Sequence, residues 1–168
     1  MTAGVRPARD SDADGVREVL TASFPTAAEA DLVARLQADG DMVIEFVAAE
    51  DGHIVGYVGL SRMNVVADGE RVLALGIAPV AVLPSHQNRG VARRLLECGL
   101  AAANGRGIAL VFVLGDPEAY GRFGFRAETA APFASPYAGP HFLAQWLSSA
   151  RRPTEGRAAY ASAFAALG

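Results

Sequence analysis

Apolar residues recur along the first forty positions at a spacing that predicts two helices after a short extended start. The first set repeats every three or four residues, which places it on one helix face: Val16, Val19, Leu20 and Phe24. A second set follows at the same spacing between Ala28 and Leu36. The segment Val5–Ala8 is predicted to be extended, because a residue that precedes proline avoids the helical region.

The pattern then changes to that of strands joined by tight turns. Apolar segments at 43–49 and 54–63 flank the turn Glu50–His53, whose Asp-Gly step is typical of a β-hairpin. A second turn at Ala67–Glu70 leads to another apolar segment, 72–83. The spacing therefore predicts three consecutive strands.

The third of these strands, 72–83, begins a strand–helix–strand unit. It carries Gly76 and Pro79, residues typical of bulges and edges, so we expect it to be irregular in its middle. Helical spacing returns from about Gly90 to Ala103. The nearly continuous apolar run at 108–114 then predicts a buried parallel strand.

The pattern weakens toward the C-terminus. Residues 116–122 predict a short helix, with Asp116 as its N-terminal cap. Segment 130–140 is rich in proline and glycine and predicts a loop. The last two apolar segments, 141–147 and 158–167, each fit either a strand or a helix.

Composition limits the class of protein. The chain has 168 residues, of which 51% are apolar and 20% charged, as in one ordinary globular domain. No window approaches 18 consecutive apolar residues, and the start, Met1–Pro7, lacks the apolar run of a secretory signal. Cys98 is the single cysteine, which excludes an internal disulfide and a cysteine-based zinc cluster. These features favour a cytoplasmic protein without a membrane span.

The charge pattern argues against several kinds of partner. All fifteen basic residues are arginine, and the net charge is −3. A negative net charge disfavours a nucleic-acid surface and a polybasic membrane anchor. Without lysine, the chain has neither a Schiff-base lysine nor a phosphate-binding P-loop lysine. We therefore expect a small-molecule or peptide partner and no nucleic acid or membrane.

The segment Val80–Ala92 carries the most specific chemical pattern. A strand ends near Val82, a polar loop follows, and Gly90 opens a helix. Unpaired N–H groups and the helix dipole make such a helix start a phosphate site, to which nearby arginines add charge. The candidate arginines are Arg89, Arg93 and Arg94. The alternative is an ordinary strand–helix loop in which the glycine is only a cap.

Two motifs in this region resemble a known family. Gln87-Asn88-Arg89-Gly90-Val91-Ala92 fits Gln/Arg-x-x-Gly-x-Gly/Ala, and it follows Val82-Leu83-Pro84. About 30 residues later comes Gly115-Asp116-Pro117-Glu118-Ala119-Tyr120-Gly121-Arg122-Phe123-Gly124-Phe125. Together they resemble the GNAT superfamily of acyl-CoA-dependent N-acetyltransferases, and within it the YhbS-like branch. The order of elements from Val5 to Phe125 matches this family throughout.

The resemblance implies a fold, a co-substrate and a reaction. The fold is α/β (α+β): a mixed, mostly antiparallel central sheet flanked by helices, with a splayed parallel strand pair forming the acyl-CoA cleft. It implies one acetyltransferase domain over 1–168, with a core at 1–127 and an acceptor-side portion at 128–168. Acetyl-CoA is the implied co-substrate, with no metal, and a primary amine of a small molecule or peptide attacks the thioester directly. A homodimer is possible.

The resemblance also implies roles for particular residues. The pantetheine arm lies along the strand end and the pyrophosphate on the loop and helix start; the implied contacts are Val80, Ala81, Val82, Gln87, Asn88, Arg89, Gly90, Val91 and Ala92. A backbone N–H near Val82 stabilises the oxyanion. Tyr120 is the implied general acid for the leaving thiolate. The alternative for Tyr120 is an aromatic side chain that only packs.

Several assignments stay open. The general base is not evident; Glu45, Ser61, Asn64, His141 and a chain of water molecules are all conceivable. His86 is expected to be a solvated loop histidine, with a phosphate contact as the alternative. Tyr137 and Trp146 either shape the acceptor pocket or pack. Two other functions stay open as well: a non-catalytic acyl-CoA-binding sensor or regulatory module, and a nucleotide-binding α/β protein.

Overall fold

The computed structural model of the chain describes residues 3–167, so Met1, Thr2 and Gly168 lie outside the described residues, and with them part of the segment Met1–Pro7 considered above. The described strands are β1 (Gly4–Pro7), β2 (Met42–Glu50), β3 (His53–Ala67), β4 (Glu70–Val82), β5 (Leu110–Leu114), β6 (Phe133–Ala134), β7 (Phe142–Trp146) and β8 (Gly156–Tyr160). The described α-helices are α1 (Ala13–Ser23), α2 (Ala28–Ala38), α3 (Val91–Gly105), α4 (Pro117–Gly121) and α5 (Ala127–Ala130). Short 3₁₀ turns lie at Asp10–Asp12, Pro84–His86 and Ser162–Leu167.

The strands form a mixed, mostly antiparallel sheet, which confirms the predicted fold class. Their order is β1-β2-β3-β4-β5-β7, and β8 pairs with both β3 and β6. The pairs β1–β2, β3–β8 and β5–β7 are antiparallel, whereas β4–β5 and β6–β8 are parallel. The β4–β5 ladder joins Ala74–Ile77 to Leu110–Val113, and β4 itself continues to Val82.

The chain forms two compact units. The first contains the residues up to Leu60, Pro79–Ala102 and the residues from Ser162 onward; the second contains Ser61–Ala78 and Ala103–Ala161. Strands β3 and β4 contribute residues to both. The single domain with a boundary at residue 127 stays a prediction.

The first unit is built on the predicted helix faces and the predicted hairpin. Buried residues of α1 pack with Val47 of β2 and Tyr57 of β3. Between these two strands the turn consists of Asp51 and Gly52, with φ of 50° and 81°. Two successive left-handed residues give the turn whose twist matches that of a hairpin, and Asp-Gly adopts it readily. Local sequence therefore fixes the register of β2 against β3.

An aromatic cluster forms the core of the second unit. The Phe112 ring lies edge-on to Phe133, with centroids 5.3 Å apart, and stacks on Phe142 at 5.1 Å. All three side chains are buried. The segment 141–147, for which strand and helix were both open, forms the edge strand β7. Buried aromatic rings contribute a large share of the apolar area in a core, so these three side chains dominate the stability of this unit.

The chain beyond residue 127 differs from the prediction in several places. The expected loop at 130–140 contains the end of α5 and the two-residue strand β6. The last apolar segment is a strand and a 3₁₀ turn in succession, since β8 ends at Tyr160 and the turn begins at Ser162. The spacing of apolar residues does not distinguish a strand from a helix here, because short apolar runs fit both structures.

Gly76 lies in β4 at a close contact with β8. The strand continues through Gly76 and Pro79, and its ladder with β5 is regular at Gly76, whereas the irregular middle expected for this strand stays a prediction. A Cβ on Gly76 would lie 2.5 Å from Cε1 of Tyr160 and 2.9 Å from Sδ of Met63. The glycine thus makes room for a tyrosine ring from β8, a contact between distant parts of the chain.

A buried carboxylate joins β1 to the start of α1. Asp12 is 7% exposed; Oδ2 accepts a hydrogen bond from Arg6 Nη1 at 2.7 Å, and Oδ1 accepts one from Arg6 Nη2 at 2.9 Å. The backbone N–H of Arg9 also donates to Oδ2, at 2.7 Å. The Arg6 hydrogen bonds, opposed by burial and assisted by the Arg9 backbone, lower the pKa of Asp12 below its ordinary value.

We expect Asp12→Asn to lower the free energy of unfolding by about 2 kcal/mol at pH 7, because it removes hydrogen bonds to a charged group. The stabilisation is complete above the ordinary pKa of aspartate and is lost as the pH falls through the lowered pKa. The gap between variant and wild type should therefore narrow at pH 3 in urea unfolding. Asp31→Asn, at an exposed ion pair with Arg17, is the control and should change little. An equal difference in unfolding free energy between Asp12→Asn and wild type at pH 7 and pH 3 contradicts the role of the ionised Asp12 carboxylate.

Candidate active site

The end of β4 is tied to the neighbouring strand and to the loop that follows it. The Leu83 N–H donates to the Val55 carbonyl at 2.9 Å, and the His86 N–H donates to the Leu83 carbonyl at 2.8 Å. Val82 is buried, whereas Asn88, Arg89 and Gly90 are exposed. The chain thus leaves the sheet at Val82 and reaches the surface over the next six residues.

The exposed turn contains two left-handed residues. Asn88 has φ of 63° and Gly90 has φ of 77°. Asparagine tolerates this region and glycine occupies it without strain. A Cβ built on Gly90 meets no atom within 4 Å. The need for glycine is therefore conformational, and the space beside it is open.

Helix α3 begins immediately after this turn. The first intrahelical hydrogen bond runs from the Arg94 N–H to the Gly90 carbonyl, at 3.1 Å. The N–H groups of Val91, Ala92 and Arg93 precede it and have no acceptor within a regular helix. Gly90 has no side chain with which to cap them. These donors and the positive end of the helix dipole make the turn suitable for an anion such as phosphate.

Two glycines fix the position of α3 against β3. A Cβ on Gly56 of β3 would lie 3.0 Å from both Leu95 and Val91 side chains, and one on Gly99 of α3 would lie 3.0 Å from Leu60. Such distances are tight, so the helix approaches the strand more closely than larger residues allow. Val91 and Leu95 are buried at this contact. The start of α3 is therefore held in place by packing.

Two of the three candidate arginines have partners within the chain. Arg93 Nε donates to Glu97 Oε1 at 2.9 Å, and Arg94 donates to the Ala3 carbonyl. Arg89 is exposed in the turn itself. Arg89 is thus the arginine best placed to contact a phosphate bound there.

The Gln87 side chain faces the strand rather than the turn. Gln87 Nε2 donates to the Val82 carbonyl at 3.2 Å, and Ser23 Oγ of α1 lies 3.4 Å from the same oxygen. The Val82 carbonyl, expected to be available to pantetheine, thus already accepts hydrogen bonds from side chains. Gln87 fixes the loop to the end of β4.

Tyr120 lies in the second unit, on the short helix α4. The predicted N-terminal cap of this helix is confirmed, because Asp116 Oδ1 accepts a hydrogen bond from the Glu118 N–H at 3.1 Å. A Cβ on Gly115 would overlap the Tyr120 ring, and the Phe125 ring lies edge-on to it with centroids 6.1 Å apart. Burial raises the pKa of the Tyr120 hydroxyl above its ordinary value. The hydroxyl is therefore protonated at neutral pH, as a proton donor must be.

The structure shows what surrounds three of the candidate bases. Glu45 Oε1 accepts hydrogen bonds from the Tyr57 hydroxyl at 2.6 Å and from Gln37 Nε2 at 2.7 Å. Ser61 is fully buried, with no partner for Oγ among the described residues. His141 is exposed, and its Nδ1 lies 3.2 Å from the Gly115 carbonyl. None of these contacts identifies a general base.

The structure corrects the expectation for His86. Its side chain is only 17% exposed and lies between Glu50 and Ser85, so it is not a solvated loop histidine. Sequence reasoning missed Glu50 altogether. The two residues are 36 positions apart, and no local pattern connects them.

The described residues contain no cluster of His, Cys, Asp and Glu suited to hold a metal ion. None of the helices described over 3–167 is long and apolar enough to cross a membrane.

Comparison with known proteins assigns the family. The family model for the acetyltransferase (GNAT) domain matches residues 4–127. The chain belongs to the GNAT acetyltransferase family. This match covers both motifs from which the resemblance was drawn.

Individual relatives agree with that assignment. This GNAT chain is 43% identical over 115 residues to an uncharacterized N-acetyltransferase, YhbS, of Escherichia coli K12, covering 68% of each chain. The structure of E. coli YhbS in complex with CoA superposes with a TM-score of 0.90 at 33% identity, covering 100% of this chain and 94% of that one. A GNAT acetyltransferase of Brucella melitensis in complex with acetyl-CoA gives a TM-score of 0.79 at 30% identity, covering 96% and 97%. These matches confirm the GNAT fold and the predicted YhbS-like branch.

Proposed function

We propose that this chain transfers an acetyl group from acetyl-CoA to a primary amine of a small molecule or peptide. The observation that carries the proposal is the left-handed turn at Asn88 and Gly90, which opens directly into the unpaired N–H groups of α3. Relatives that hold CoA and acetyl-CoA support the same ligand. Acetyl-CoA supplies the acetyl group as a thioester.

The residues of the turn suit a pyrophosphate. Backbone N–H groups from Asn88 to Ala92 are the proposed donors, with charge added by Arg89. The open space beside Gly90 leaves room for a phosphate oxygen close to the backbone. The pantetheine contacts proposed for Val80, Ala81 and Val82 rest on the family resemblance, as does the proposed contact of Gln87 with the co-substrate.

Tyr120 is the proposed general acid. Its raised pKa keeps the hydroxyl protonated, so it can donate a proton to the thiolate that leaves. Gly115 and Phe125 hold the ring in one orientation, which keeps the donor in a fixed place. The attacking amine must be neutral, and we assign no residue to the removal of its proton.

Three wider assignments belong to the same proposal. The whole chain, 1–168, acts as one acetyltransferase domain, with residues 128–168 on the acceptor side. The protein works in the cytoplasm. A homodimer is compatible with this activity.

Calorimetry followed by a transfer assay tests the proposal. Acetyl-CoA and CoA should bind to the full chain, whereas ATP should bind far more weakly because it lacks the pantetheine arm. A panel of polyamines, amino acids and peptide N-termini should then yield an acetylated product by mass spectrometry. Binding without turnover on any acceptor indicates an acyl-CoA-binding module. A folded chain that binds no acetyl-CoA overturns the proposal.

A further inference from the structure

Three polar side chains connect the β2–β3 hairpin to the loop before the phosphate-binding turn. His86 Nε2 lies 3.3 Å from Glu50 Oε1, and Ser85 Oγ lies 2.7 Å from His86 Nδ1. Glu50 is the last residue of β2, and His86 ends the 3₁₀ turn directly before Gln87. The contacts therefore join two segments far apart in sequence, beside the proposed pyrophosphate site.

The contact between His86 and Glu50 is sheltered, whereas Ser85 is exposed. The side chains of His86 and Glu50 are 17% and 21% exposed. Exposed ion pairs contribute little, because water and salt screen them and the side chains lose freedom. A largely sheltered contact is screened less, so it can hold a loop in place.

The carboxylate of Glu50 fixes the direction of its hydrogen bond with His86. A carboxylate only accepts, so His86 Nε2 carries a hydrogen and donates to Glu50. The other ring nitrogen, Nδ1, faces the Ser85 hydroxyl, which can both donate and accept. Each polar atom of the imidazole has a partner, which fixes the orientation of the ring.

We propose that His86 is a positioning residue for the binding of the CoA phosphates. It holds the loop Pro84–Gly90 against the hairpin through Glu50, so that the N–H groups of the turn converge before the ligand arrives. The Gln87 bond to the Val82 carbonyl fixes the same loop to β4. A turn fixed at both sides loses less freedom on binding, which increases affinity. This inference rests on the proposed function.

Single substitutions separate the two contacts of His86. His86→Ala removes both contacts, whereas His86→Gln places an amide near the position of Nε2 and can still donate to Glu50. We expect His86→Ala to raise the Kd for CoA about tenfold, in line with the loss of a hydrogen bond to a charged group. His86→Gln should recover most of that loss. Glu50→Ala should match His86→Ala, and the double variant should be no weaker than either single one.

A ligand without phosphates distinguishes positioning from general damage. S-acetylpantetheine has the same thioester but no phosphate. The variants should therefore bind it, as measured by competition, and turn it over as well as the wild type does. With acetyl-CoA, KM should rise and kcat at saturation should stay the same. Equal losses for both ligands, or equal CoA affinity in wild type and His86→Ala, overturn the inference alone. Failure of the wild type to bind CoA overturns the proposed function together with it.

Discussion

The Gly90→Glu variant should bind acetyl-CoA at least 100-fold more weakly than the wild type while remaining folded. The added carboxylate enters the space in which we place the pyrophosphate, next to donors that favour an anion. Two like charges 4 Å apart repel by about 4 kcal/mol in a partly shielded site, and a 100-fold loss needs only about 2.7 kcal/mol. Calorimetry on both proteins measures the difference.

Gly69→Glu is the matched control for this substitution. Gly69 lies in the β3–β4 turn with φ of 83°, and a Cβ there also meets no atom within 4 Å. Both variants therefore place the same side chain in a left-handed conformation, at a cost of about 1–3 kcal/mol in stability. Gly69→Glu should lose stability but keep its affinity for acetyl-CoA. Equal affinity in the two variants contradicts a phosphate site at the start of α3.

The Tyr120→Phe variant should lose about 100-fold in kcat at unchanged affinity for acetyl-CoA. Removing the hydroxyl removes the proton donor for the thiolate but leaves the ring contacts with Gly115 and Phe125. General acids contribute roughly 100- to 10,000-fold, and we expect the lower end because a thiolate is a weak base. Turnover at saturating acetyl-CoA, with binding measured separately, gives the result.

The pH dependence of turnover provides a second readout for Tyr120. Because the pKa of its hydroxyl is raised, the wild type should lose activity only at strongly alkaline pH, above the ordinary tyrosine value. The phenylalanine variant should lack that alkaline loss. Phe123→Leu, a substitution on a neighbouring half-buried ring, serves as the control and should keep kcat near the wild-type value. Unchanged kcat in Tyr120→Phe contradicts the role of a general acid.

Much of the fold follows from local sequence. The hairpin is predictable because Asp51-Gly52 determines its turn, and α1 because its apolar spacing matches a helix face. The start of α3 is predictable because Gly90 follows a strand and a polar loop. In each case the decisive interactions lie within a few residues along the chain.

The features that sequence reasoning missed depend on distant contacts. Gly76 faces Tyr160, which lies 84 positions later, and only the folded chain shows why glycine is needed there. His86 is sheltered because Glu50 arrives from another hairpin. The side chain of Gln87 turns toward the Val82 carbonyl, although the motif alone suggests that it faces the ligand. Motifs thus locate the site, whereas tertiary contacts decide what each side chain does.

The most direct test of the central claim is the response of individual backbone amides to acetyl-CoA in a ¹⁵N–¹H NMR titration. If the pyrophosphate lies on the turn and the start of α3, the amide signals from Asn88 to Ala92 should show the largest shifts, with their protons moving downfield on hydrogen bonding. The amide signals of Gly52 and Gly69, which lie in left-handed turns elsewhere, should not shift. Saturable binding that leaves the signals of residues 88–92 unmoved would contradict the account.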